Sequence, residues 1–139
     1  MGPSADIDQD KSIQDHEGPW PEPAAGSTSL VRAVYKLRKR PMKELESHEL
    51  ARLITQNIGL KWLMPLALES LRSMIPDPSD TNWWFDDELL SAVLTRDRSY
   101  WDGSPELYRY MKDTVHMLPD VSEYLRDDID KFVGYDDRS

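Results

Sequence analysis

Residues 49–75 read ELARLITQNIGLKWLMPLALESLRSMI, from Glu49 to Ile75. Leu50, Leu53, Ile54 and Ile58 recur at helical spacing, and Gly59 stands where a left-handed C-cap belongs. Past the glycine, Leu60, Leu63, Met64, Ala67, Leu68, Leu71, Met74 and Ile75 fall on one stripe. Ser47 is the expected N-cap of the first helix. Pro65 fits the second if that helix begins near Trp62, because the first four amides of a helix have no intrahelical acceptor. Pro76 and Pro78 end it. Two helices about a glycine turn, the second the most apolar segment of the chain, predict a helical core centred on residues 60–75.

The same period continues outward. Leu30, Val31, Val34 and Tyr35 suit a short helix with Arg32, Lys36 and Lys39 on its wet side. Val31, Ala33, Tyr35 and Leu37 also alternate as a strand would, but no second strand offers itself for pairing. Pro41 then breaks the chain. Downstream, Asp86 or Asp87 caps a helix carrying Leu89, Leu90, Val93 and Leu94. Ser104-Pro105-Glu106 starts another, with proline at the first helical position, leading into Leu107, Met111, Val115 and Leu118. Val121, Leu125, Ile129 and Phe132 mark a last one. The expected fold is all-α: a compact bundle of five to six short helices in a single domain over residues 28–133. A chain of 139 residues is the size of one such domain.

Charge is unevenly spread. Acids outnumber bases 26 to 17, for a net charge of −9. That balance disfavours nucleic acid, whose binding rests on neutralising phosphates, and favours a basic protein partner. Residues 1–27 hold Asp6, Asp8, Asp10, Asp15, Glu17 and Glu22 against Lys11 alone, with four prolines and three glycines. Few large apolar side chains offset their ordering entropy, so a disordered acidic tail is expected there, and another over residues 134–139. With no cysteine, disulfides and thiolate metal sites are excluded. No apolar run approaches the ~18 residues of a membrane span, and no secretory signal opens the chain. The expected compartment is the cytoplasm, with no membrane association.

Catalytic constellations are hard to find. His16, His48 and His116 lack a second metal ligand at helical spacing, and no zinc-protease, phosphate-loop or nucleophile-elbow motif occurs. Asp86, Asp87 and Glu88 are explained by the helix start they occupy. We therefore expect no catalytic residue, metal, cofactor or small-molecule ligand. The aromatics are the unusual feature. Trp83, Trp84 and Phe85 cannot all point inward from one loop, and Asp77, Asp80, Asp86, Asp87 and Glu88 surround them. An aromatic anchor ringed by acids suits a basic protein surface. The alternative is a helix-turn-helix-like nucleic-acid-binding regulator built on residues 48–75. Its second helix offers only Glu69, Ser70, Arg72 and Ser73 as polar residues, and Arg32, Lys36, Arg38, Lys39, Arg40 and Lys43 would have to form its basic face.

The run from Glu49 to Glu69 resembles the hallmark of a family of contact-dependent growth inhibition (CDI) immunity proteins, roughly E-L-R-x-L-I-x-Q-x-I-G-L-x-x-L-x-P-L-A-L. Glu88-Leu89-Leu90-Ser91-Ala92-Val93-Leu94, with Tyr100-Trp101 after it and Trp84-Phe85 before it, resembles a second block. The likeness spans about residues 42–115. Asp87 stands where the family usually has Gly, and Glu88 where it has Asp. The resemblance implies an antidote that binds the C-terminal domain of a delivered toxin one-to-one and blocks its active site. Such toxins are often nucleases, tRNases among them, and the basic groove of a nuclease would attract an acidic inhibitor. The shared string is mainly scaffold, so the contacts are expected outside it. The toxin-binding candidates are Asp80, Trp83, Trp84, Asp86 and Asp87, with Tyr100 and Asp102 nearby and Asp127, Asp128 and Asp130 on the last helix.

Overall fold

The computed structural model describes residues 5, 7–75, 87–118 and 123–134. Along them run α1 (Ile13–Glu17), α2 (Ser29–Leu37), a 3-10 turn (Met42–Glu44), α3 (Ser47–Thr55), α4 (Leu60–Ser73), α5 (Asp87–Leu94), α6 (Arg98–Asp102), α7 (Pro105–Met117) and α8 (Glu123–Val133). The fold is all-α, with eight helices and no strand among the described residues, where five or six helices were expected. The additional ones are α1 and α6, each only five residues long.

The turn between α3 and α4 differs in detail from its sequence reading. Glu46, not Ser47, takes the N-cap of α3, and its amide donates to Glu49 Oε1 at 2.9 Å. The left-handed residue that stops α3 is Asn57, at φ 58°. The amide of Ile58 reaches Leu53 O at 3.0 Å and that of Asn57 reaches Ile54 O at 2.9 Å, the paired bonds of a Schellman ending. Gly59 is also left-handed, at φ 64°, but it opens α4 instead of closing α3. That helix therefore starts at Leu60, not near Trp62, and Pro65 lies in its second turn, where it cannot donate to the Lys61 carbonyl.

The core forms where α3 packs along α5 and α4 packs against α3, α5 and α7, with α8 closing over α5 and α7. Leu53, Ile54, Leu63, Met64, Leu68, Leu71, Leu89, Leu90, Val93, Leu125 and Phe132 are wholly buried. Each such side chain contributes about 1.5–3 kcal/mol. Polar clamps fix the helices against one another. Arg72 of α4 donates to Thr114 Oγ1 at 2.9 Å and Tyr110 O at 2.6 Å, with its guanidinium 3.6 Å over the Tyr110 ring. The Tyr108 hydroxyl donates to Phe132 O at 2.8 Å and so ties α7 to the end of α8.

The largest departure lies before residue 28. Residues 9–18, expected within a disordered tail, form a strap across the bundle. Ile13 is wholly buried, with its Cδ1 2.9 Å from the point where a Cβ on Gly59 would sit. Backbone bonds run from Gln14 to Arg38 (2.9 Å), Met42 to Lys11 (3.0 Å) and Lys43 to Gln9 (3.0 Å). Ser12 and Asp15 form a capping box at the start of α1, and hydrogen bonds from Ser12 hold the Asp15 carboxyl below its ordinary pKa. The strap's acids also meet the basic run: Glu17 Oε1 lies 2.7 Å from Arg38 and Asp10 Oδ1 2.6 Å from Lys43. His16 stacks on Trp62 at 5.4 Å, and Trp20 lies 3.9 Å over the Arg38 guanidinium. The physical reason is one tertiary contact. One isoleucine finds a notch that the distant Gly59 leaves open, and the Glu17–Arg38 and Asp10–Lys43 bonds are charge-assisted.

Candidate partner-binding surface

Asp97 stands at the N-cap position of α6 without a side-chain capping bond, and the one fully inward side chain of that helix is Trp101. Trp101 sits edge-on to Tyr100 (5.2 Å), Tyr108 (6.1 Å) and Phe132 (5.0 Å), which locks α6 to α7 and α8. Tyr100 is half-buried, and burial raises its hydroxyl pKa while a hydrogen bond with the Ser104 side chain opposes the shift. Asp102 is exposed, one helical turn from Arg98 and 3.8 Å from its Nε. On α8, Leu125 and Phe132 face the core while Asp127 and Asp130 are exposed and Asp128 is half-buried.

A cleft of about 290 Å³ lies between the α5–α6 turn and α8. Asp97, Arg98, Asp128 and Lys131 are among its walls, with the buried Arg96 beneath. Arg96 donates to Ala92 O (2.9 Å), Thr55 O (3.3 Å) and Asn57 Oδ1 (2.7 Å), which ties the end of α5 to the α3–α4 turn. Desolvation lowers its pKa, and nearby Asp97 opposes that. Of the sequence-derived candidates on α6 and α8, Asp128 lines this cleft, whereas Tyr100, Asp102, Asp127 and Asp130 do not. Asp128 shares that lining with Arg98 and Lys131, whereas Asp127 and Asp130 are exposed to solvent. Asp80, Trp83, Trp84 and Asp86 lie outside the described residues, and Asp87 opens α5 with its side chain outside them.

The basic run from Arg32 to Lys43 is mostly occupied internally. Arg38 pairs with Glu17, Arg40 with Glu49 (2.7 Å) and Lys43 with Asp10, while Lys39 Nζ lies 4.2 Å over the Tyr35 ring. Sequence reasoning missed this neutralisation. Its one visible signal was the excess of acids in residues 6–22 ahead of an excess of bases. A phosphate backbone would find few of these cations unengaged.

Among the described residues, no three His, Cys, Asp or Glu side chains gather as a metal site. No helix there is long and apolar enough to cross a membrane. Such a surface, acidic patches on a rigid helical body, is suited to holding another protein. The sequence pattern of one family, described as CDI immunity proteins, matches residues 14–111. The match begins inside the strap and so takes in α2 as well as the α3–α5 core. No curated relative and no solved structure matches the chain.

Proposed function

The chain belongs to the CDI immunity proteins, and on that footing we propose that it neutralises a basic nuclease toxin domain by covering its active site, one-to-one, in the cytoplasm. The family match over most of the chain carries this reading. Membership implies a cognate toxin; the charge of the chain suggests the toxin's chemistry. A nuclease concentrates cations where its substrate phosphates lie, and a partner of net charge −9 gains both attraction and a fast encounter from them. Asp127 and Asp130 on α8, Asp102 on α6 and the acidic-aromatic loop of Asp80, Trp83, Trp84, Asp86 and Asp87 are the contacts we assign to it. Tyr100, edge-on to Trp101 and hydrogen-bonded to the Ser104 side chain, lies on the same short helix as Asp102 and is assigned with it.

Charge reversal tests the assignment. Asp86→Lys with Asp87→Lys, and separately Asp127→Lys with Asp130→Lys, should each slow association and weaken binding to the cognate toxin domain by about tenfold or more. The salt dependence of the association rate should fall with them. If both pairs leave affinity and salt dependence unchanged, the acidic faces are not the interface.

A further inference from the structure

A second surface of opposite sign lies on α2. Arg32 and Lys36, one helical turn apart, line a cleft of about 280 Å³ between the outer face of α2 and residues 23–25. Pro23, Ala24, Ala25 and Tyr35 complete its walls, and no acidic side chain is among them. The Pro-Ala wall is set by Ser27, whose hydroxyl donates to Ala24 O at 2.7 Å, and Thr28 Oγ1 caps α2 by accepting from the Val31 amide at 3.2 Å. Lys39 over the Tyr35 ring keeps that ring in place. Along the first turn of α2, Leu30 and Val31 remain 40% and 48% exposed, so the apolar stripe of Val34 and Leu37 runs on past the edge of the bundle.

Like charges one turn apart weaken a helix. In a chain with 26 acids, Arg38, Arg40 and Lys43 of this run pair with carboxylates and Lys39 lies over the Tyr35 ring, while Arg32 and Lys36 face an acid-free cleft. The strap shows what such a surface accepts, since Arg38 takes a carboxylate from Glu17 and a ring from Trp20. We propose that the α2 cleft docks an acidic segment of the toxin domain, with carboxylates on Arg32 and Lys36. This rests on the toxin-binding reading above and adds a second contact of reversed polarity. Two contacts of opposite sign would fix the orientation of the partner and reject toxins whose charge pattern differs.

The test uses the full-length chain and its cognate toxin domain. Arg32→Glu with Lys36→Glu should weaken binding about tenfold, chiefly through slower association. Arg32→Lys with Lys36→Arg should bind as the unaltered chain does. Both pairs lie on the solvent face, and matching thermal melts confirm an intact fold. Tight binding by the unaltered chain with no loss in the Glu pair overturns the α2 assignment and leaves the toxin reading standing. Loss of heparin or tRNA retention in the Glu pair, with toxin affinity unchanged, overturns it in favour of a polyanion. No binding by the unaltered chain removes both readings together.

Discussion

Trp101→Ala lowers the unfolding free energy by about 3–5 kcal/mol, the range for removing a large aromatic side chain from a packed core. Trp101 is 2% exposed and is the one residue touching Tyr100, Tyr108 and Phe132 edge-on, so its loss opens a void shared by α6, α7 and α8. Against a usual total of about 5–15 kcal/mol, that loss is a large fraction. Its indole N–H is buried without a hydrogen-bond partner. Trp101→Phe should therefore cost much less than the alanine change, because it keeps a ring and removes an unsatisfied donor. Urea titration of the two variants checks this. Equal losses would mean that ring packing is not what Trp101 supplies.

Ile13→Ala releases the strap. The side chain is wholly buried, and such truncations cost about 2–5 kcal/mol. Here the cost has a ceiling. Once the strap undocks, residue 13 stands in water in either form, so the loss cannot exceed the free energy of docking. The expected signature is local: faster amide exchange and proteolysis over residues 7–20 before any change in α3–α5. Gly59→Ala approaches the same contact from the other side, since its new Cβ would lie 2.9 Å from Ile13 Cδ1 at a φ of 64°. The two substitutions should cost less together than the sum of each alone, because the alanine at 13 removes the clash. Strict additivity would show that Ile13 does not occupy the notch.

Most of the scaffold was legible because its helices bury a periodic stripe. α2, α3, α4, α5, α7 and α8 all carry one, and proline at the first position of α7 marks its start as read. In α2, helix prevailed over the alternating reading since Val34 and Leu37 share the inner face. α6 left no period to detect, because five residues with one inward tryptophan cannot show one. The strap was hidden for another reason. Composition averages over residues 1–27, whereas Ile13 needs only one notch, built by a glycine far along the chain. The turn residues were read correctly as a turn, but tertiary contact decided that Asn57 stops α3 and Gly59 starts α4.

The candidate surface was legible in its charge and not in its grouping. Asp102 and Asp127 stand out as acids in the sequence. That Arg98 at the start of α6 and Asp128 and Lys131 of α8 line one cleft depends on helix packing that no local pattern encodes. The basic run illustrates the same limit. Six bases between Arg32 and Lys43 read as a cationic face, yet Arg38 and Lys43 pair with acids of the strap, while Arg32 and Lys36 border an acid-free cleft.

Neutralisation of a toxin is the claim on which the rest depends. The most direct measurement is a binding isotherm between the full-length chain and its cognate toxin domain, with toxin activity followed in the same titration. The expected result is one chain per toxin domain, a Kd of about 1 nM or tighter, and activity that falls to zero at equivalence. A toxin domain that stays fully active with the chain in excess would contradict it.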